Sequence, residues 1–234
     1  MAKIEEKEEA KKKRKKSVLR ETIEAILIAF VLAMLIRTFV VQAFKIPSSS
    51  MEDTLLIGDH ILVSKLSYGL QVPKPHILGW HVVRFVGLPI MVLPIVDSEL
   101  KPLWGEIKRG DVIVFRFPQD RTKDFIKRVV GLPGETVVIK DGRIYIDGKQ
   151  WKENFGVHKG GINSEMEVVD NFGPYRVPEG CVFVMGDNRD RSYDSRFWGC
   201  VNIKDIKGRA FMIYFSWDHE RNRIRFSRIG KFIQ

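Results

Sequence analysis

The sequence predicts a mainly β protein: an antiparallel β-sheet domain preceded by one N-terminal transmembrane helix. Three observations carry this. A single long apolar run, Ile23 to Phe44, stands directly behind a basic segment. Beyond Phe44 the apolar residues come in short runs rich in β-branched and aromatic side chains, cut by Gly and Pro. No later stretch repeats at the helical period, which leaves antiparallel strands folded into one or two packed sheets.

The chain has 234 residues and a formal net charge of +10, room for one ordinary domain plus an anchor or tail. Met1 to Arg20 holds nine Lys/Arg against four Glu, with "KKKRKK" at Lys11 to Lys16. A basic run of this kind suits nucleic acid, anionic lipid or simple solubility, and the residues after it decide. Here they are apolar, so the reading is membrane lipid and no nucleic acid. The 22 residues from Ile23 to Phe44 would rise about 33 Å as a helix, close to the ~30 Å hydrocarbon core. The positive-inside rule then makes residues 1–20 a cytoplasmic tail, 21–44 a single-pass anchor in the cell inner membrane and 45–234 an extracytoplasmic β-rich domain. The small residues Val41 and Ala43 also fit a cleavable secretory signal. The basic region is long for that role, and a retained anchor is the preferred reading.

Seven runs read as strands: "HILVSK", "DVIVFRF", "DFIKRVV", "ETVVIK", "RIYI", "CVFVMG" and "GRAFMIYFS". Asp141-Gly142 and Asp147-Gly148 sit between or beside such runs, where Asp-Gly favours tight hairpin turns. Val82 to Val96 is apolar but broken by Pro89 and Pro94; core strands are preferred for it over a surface resting on the bilayer. In this topology Cys181 and Cys200 are open to a disulfide and equally to the role of small buried side chains. The five histidines are scattered, none in a compact motif, and His60 reads as an ordinary strand residue. No zinc-ligand spacing occurs.

The chemistry-bearing residues lie in three clusters. The first is "PSSSM", Pro47 to Met51. If extended, it places Ser48 and Ser50 on one face and Ser49 on the other, and two facing hydroxyls can divide nucleophilic attack from oxyanion donation. The second is Lys127 in "FIKRVVGLPGE". It stands between Ile126 and Arg128 in an otherwise apolar strand, and if buried its amine would lose its proton more easily and could serve as a base. The third is "GDNRDRSYDSRFWG", Gly186 to Gly199, whose alternating acids and arginines suit a loop held by ion pairs.

Together with "RGDVIVF" (Arg109 to Phe115), these segments resemble the type I signal peptidases, with four motifs in the family's order behind an N-terminal anchor. The resemblance implies a membrane-anchored serine endopeptidase that removes signal peptides from secretory preproteins carrying small residues before the cut. Ser50 would be the nucleophile, Lys127 the general base and Ser48 an oxyanion-hole donor. Ser192 would orient the lysine, and Asp194 with Arg196 and Arg128 with Asp187 would be supporting ion pairs. No metal or cofactor is implied. Met51 and Ile61 are expected to help line shallow apolar pockets for the small substrate side chains. Two positions depart from the family: Ser49 where it often has Gly, and Asp53 where it often has Pro. A reading from another class is a non-catalytic, membrane-tethered β-domain that binds exported polypeptides; a self-cleaving Ser-Lys repressor would need a DNA-binding domain where the anchor stands.

Overall fold

The computed structural model describes residues 20–37, 40–68, 83–85, 88–90, 105–157 and 171–234. The basic tail 1–19 lies outside them, as do most of Val82 to Val96 and the question of its lipid contact.

A helix, α1, covers residues 20–37, its apolar side chains facing outward from Ile23 to Ile36. After it the described residues form fourteen strands: β1 Val41–Lys45, β2 Asp59–Ser64, β3 Val83–Phe85, β4 Leu88–Ile90, β5 Val112–Arg116, β6 Asp124–Gly131, β7 Thr136–Lys140, β8 Arg143–Ile146, β9 Lys149–Gln150, β10 Phe172–Arg176, β11 Cys181–Met185, β12 Val201–Asn202, β13 Ile206–Asp218 and β14 Arg223–Ile224. A one-turn helix, α2, spans Ser195–Trp198. The large sheet has the order β1-β2-β13-β5-β6-β11-β12 with β14 on β13; a second has the order β10-β7-β8-β9; β3 and β4 pair apart. Every one of these strand pairs is antiparallel. The mainly β, antiparallel expectation therefore holds, and each of the seven strand-like runs contains a strand.

The two Asp-Gly pairs turn β7 into β8 and β8 into β9. Asp141 and Gly142 have φ of 48° and 72°, Asp147 and Gly148 48° and 77°. Positive φ at both central residues is the type I′ turn, whose twist matches that of the flanking strands.

The anchor expectation is corrected in two respects. The helix gives way to strand before Phe44: Val41 to Lys45 pair residue by residue with Ser64 to His60 of β2. Val40, Val41 and Phe44 are better strand than helix formers, and a mostly apolar run hides the change of period. Among the described residues no helix is long and apolar enough to cross a membrane; α1 includes the charged residues Arg20, Glu21, Glu24 and Arg37.

The two sheets pack through Val130, Phe183 and Met185 of the large sheet against Val137, Ile139, Ile144 and Ile146 of the small one. Two further apolar clusters line the large sheet, and strand alternation on β6 feeds both. Ile126 packs with Val112 and Val114, while Phe125 and Val129 pack with Ile113 and Phe115. Lys127 and Arg128 thus leave the strand toward opposite faces. Cys181 and Cys200, left undecided by the sequence, form a disulfide with Cα atoms 5.7 Å apart. It closes the segment that carries the third motif.

Candidate active site

The chain leaves β1 through Ile46, whose N–H donates to the Asp59 carbonyl and whose carbonyl accepts from the Gly58 N–H. Ser48 is extended (φ −130°, ψ 160°), but Ser49–Met51 form a 3₁₀ turn. The fully extended geometry expected for Ser48 to Ser50 is therefore corrected at Ser49. The turn is held by the Leu55 N–H donating to Met51 O at 2.7 Å and by the fully buried side chains of Met51 and Leu55. It nevertheless brings the Ser48 and Ser50 hydroxyls to 3.4 Å, with Ser50 buried and Ser48 at the surface. Next comes a tight bend in which Glu52 has φ −60° and ψ 146° and Asp53 has φ 81°. Proline, locked near −65°, cannot occupy that second position, so this bend differs in backbone from one built on the proline the resemblance suggests there.

Lys127, directly across from Ile113 in the β5–β6 hairpin, is 3% exposed. Its Nζ donates to Ser50 Oγ at 2.7 Å. Burial lowers the amine from its ordinary 10.5 to about 8; the Asp194 and Asp187 carboxylates pull it back up, and Arg196 pushes it down. Each of those carboxylates is already engaged by an arginine, so neither offers the amine a free partner. At pH values near neutral a useful fraction of such a lysine is neutral, and a neutral amine can accept the proton of an adjacent hydroxyl.

Asp187 takes Arg128 in a two-point pair, Nε to Oδ1 at 2.8 Å and Nη2 to Oδ2 at 2.7 Å, and accepts the Thr54 hydroxyl at 2.6 Å. Arg128 also donates to the carbonyls of Gly110 and Gln234, with the Phe155 ring 3.7 Å from Cζ. Asp194 takes Arg196 in the same way, Nε to Oδ1 at 2.9 Å and Nη2 to Oδ2 at 3.0 Å, and receives the Gly186 N–H. Both ion pairs that the resemblance implies are thus formed and buried. The Asn188 N–H donates to Ser50 O at 3.2 Å, tying this loop to the serine turn. Gly186 lies so close to the Ser50 carbonyl and the Ser192 side chain that a Cβ would collide with both.

Ser192 is a correction. Its hydroxyl is buried and has no hydrogen-bond partner among the described residues, so the expected bond to Lys127 is not made; the side chain lies against Gly186 instead. Met51 and Ile61 are fully buried in the cluster with Ile46, Leu55 and Ile213, which makes them the floor under the serine turn rather than an open pocket lining. His60 sits on β2 against the Tyr214 and Phe215 rings.

Two buried pairs escaped the sequence reading. Asp59 accepts from Arg228 Nη2 at 2.6 Å, from Ser216 Oγ at 2.6 Å and from the Leu56 N–H at 2.8 Å. Arg228 also donates to Thr54 O, so this network braces the far side of the Met51–Asp59 loop. Arg189 pairs with Glu153, joining the third motif to the segment after β9. Among the described residues no group of three or more His, Cys, Asp or Glu is placed to hold a metal ion.

With a serine and a buried amine in contact at the junction of four motifs, comparison with known proteins decides the family. The pattern described as signal peptidase, peptidase S26, matches residues 19–217. The chain belongs to this family. The signal peptidase I of Pseudomonas aeruginosa is 34% identical over 232 residues, covering 85% of this chain and 74% of that one. The signal peptidase I P of Bacillus subtilis subsp. natto is 32% identical, covering 91% and 97%. A signal peptidase I crystal structure from Enterococcus faecalis, 34% identical, aligns with 44% of this chain and 96% of its own at a TM-score of 0.36. The motif residues Ser50, Lys127 and Gly186 to Gly199 of this S26 peptidase all fall inside the matched span.

Proposed function

We propose that this chain is a membrane-anchored serine endopeptidase that removes signal peptides from exported preproteins, with Ser50 as nucleophile and Lys127 as general base. The observation that carries this reading is the 2.7 Å contact between Ser50 Oγ and Lys127 Nζ in a buried setting. Neutral Lys127 takes the Ser50 hydroxyl proton as Oγ bonds to the carbonyl carbon before the cut. The Ser48 hydroxyl and the Ser50 backbone N–H stabilise the oxyanion. The carbon–nitrogen bond breaks, the leaving nitrogen receives the proton from Lys127 Nζ, and the mature protein departs with a free amino terminus. Lys127 then takes a proton from a water whose oxygen attacks the acyl carbon, and returns it to Ser50 Oγ as the signal peptide leaves as a carboxylate. Arg128, Asp187, Asp194 and Arg196 hold this arrangement.

Membrane association rests on α1. Its apolar side chains, Phe30 at 65% exposure among them, are left uncovered by the described residues, and lipid is the surrounding that removes this cost. The basic segment before it keeps the N-terminus cytoplasmic and the β domain on the extracytoplasmic face. The preproteins carry small side chains before the cut, and nucleic acid is not a partner.

The test is incubation of the detergent-solubilised chain with a preprotein and sequencing of the new amino terminus. Ser50→Ala and Lys127→Ala are expected to reduce cleavage by at least roughly 10⁴-fold, in line with removal of a nucleophile or its base. Cleavage at the same bond by Ser50→Ala, or retention of a polypeptide-binding activity with no cleavage by any form, would overturn the reading in favour of a binding domain.

A further inference from the structure

Beside the Ser50–Lys127 contact lies a run of aromatic rings that catalysis does not use. The Phe125 ring centroid is 5.6 Å from Lys127 Nζ. Phe117 stacks on Phe125 at 4.3 Å, Tyr193 meets Phe117 edge-on at 6.1 Å, and Phe197 lies 5.4 Å from Tyr193. The inner rings are largely covered, but Tyr193 and Phe197 are each 37% exposed. Tyr193 is held upright by its hydroxyl donating to Gln119 Oε1 at 3.3 Å. It stands directly after Ser192 in the chain. Exposed rings joined to buried ones make a fixed apolar face rather than a loose surface residue.

Proton transfer brings one part of the substrate to the edge of this face. When the acyl-enzyme forms, the leaving nitrogen must come within about 2.6–3.2 Å of Nζ to receive its proton. The segment that begins at that nitrogen therefore starts beside the first ring. In an extended peptide, side chains on one face recur roughly every 6.6–6.8 Å, similar to the spacing of the outer rings. We infer that Tyr193 and Phe197, backed by the buried Phe117 ring, receive the first residues of the mature protein, selecting aromatic or large apolar side chains at alternate positions after the cut. This rests on the peptidase reading above and adds a substrate preference to it.

The test uses the full chain in detergent and five peptides identical up to the cut, one with Ser at the first four positions after it and four with Phe at one of those positions. For the wild type, Phe at alternate positions is expected to raise kcat/KM about 5- to 10-fold, the scale of one or two aromatic contacts. Tyr193→Ala and Phe197→Ala should lose that gain while cutting the all-Ser peptide within about twofold of wild type, which also reports that they fold. Tyr193→Phe should keep it. If Phe197→Ala fails to cut any peptide, the Tyr193→Ala and Tyr193→Phe pair decides. Equal rates on all five peptides with the wild type, or a gain that survives Tyr193→Ala, overturns the inference and leaves the peptidase reading standing. A Ser50→Ala chain that still cuts the all-Ser peptide overturns both.

Discussion

Lys127 and Arg128 are neighbours on β6, both buried and both cationic by type, yet their surroundings differ completely. Arg128 meets a carboxylate at two points, two backbone carbonyls and an aromatic ring. Lys127 meets one neutral hydroxyl, and the nearby carboxylates belong to arginines. A buried charge with full compensation stays charged and becomes scaffold; one without it gives up its proton and becomes a base. The same strand supplies both because alternation aims them apart.

The sharpest way to break this comparison is to make the same substitution at both positions. Arg128→Met leaves Asp187 buried and unpaired, and urea denaturation should show a loss of about 3–5 kcal/mol. Lys127→Met removes an amine whose lowered pKa represents a cost on the order of 3 kcal/mol at neutral pH, offset in part by the lost hydrogen bond to Ser50. Stability should rise by about 2 kcal/mol. Opposite signs at adjacent residues are the expected result; a loss at both would mean that the amine is not held against its preference.

Ser48→Ala should lower kcat about 10²- to 10³-fold with little change in KM, as for removal of one oxyanion donor. Ser49→Ala should change it less than about twofold, because Ser49 is not in the hydroxyl pair. Reversal of that ranking would refute the division of labour among the serines.

pH gives the most direct readout of the base. Activity should fall about tenfold per unit as pH drops below the Lys127 value near 8, read from kcat/KM profiles; a rate flat from about pH 5 to 9 would remove Lys127 as the base. The stability effect has the opposite sense to that of a salt-bridged lysine. The folded-state pKa lies below the unfolded one, so between about pH 8 and 10.5 the unfolded chain binds the additional proton. The Lys127 contribution therefore penalises the fold fully below pH 8 and ceases to do so as pH rises to 10.5, a trend that Lys127→Met should abolish.

Much of this was legible in the residues because it is local. Strand runs and Asp-Gly turns come from period and turn chemistry, while the pairs Arg128–Asp187 and Asp194–Arg196 come from the family resemblance. The features that escaped were long-range or short in period. Asp59 finds Arg228 at the other end of the chain, and Arg189 finds Glu153 across the fold; no local pattern names such partners. The 3₁₀ turn at Ser49–Met51 depends on the burial of Met51 and Leu55, which only the closed core supplies. β1 was absorbed into the apolar run before it, since consecutive apolar residues suit helix and strand alike. Ser192 shows the limit of resemblance: the residue is where the motif puts it, but its hydroxyl points elsewhere.

β5 and β6 align with Ile113 opposite Lys127 and Val112 opposite Arg128. A slip of the hairpin by a single residue would put either Arg128, a permanently charged guanidinium, or Ile126, which carries no base, in the place that Lys127 takes beside the serine. The misaligned protein would have the same composition and nearly the same sheet, and it would be inert. Whether this chain is an enzyme at all is thus decided by hairpin alignment, before any substrate arrives.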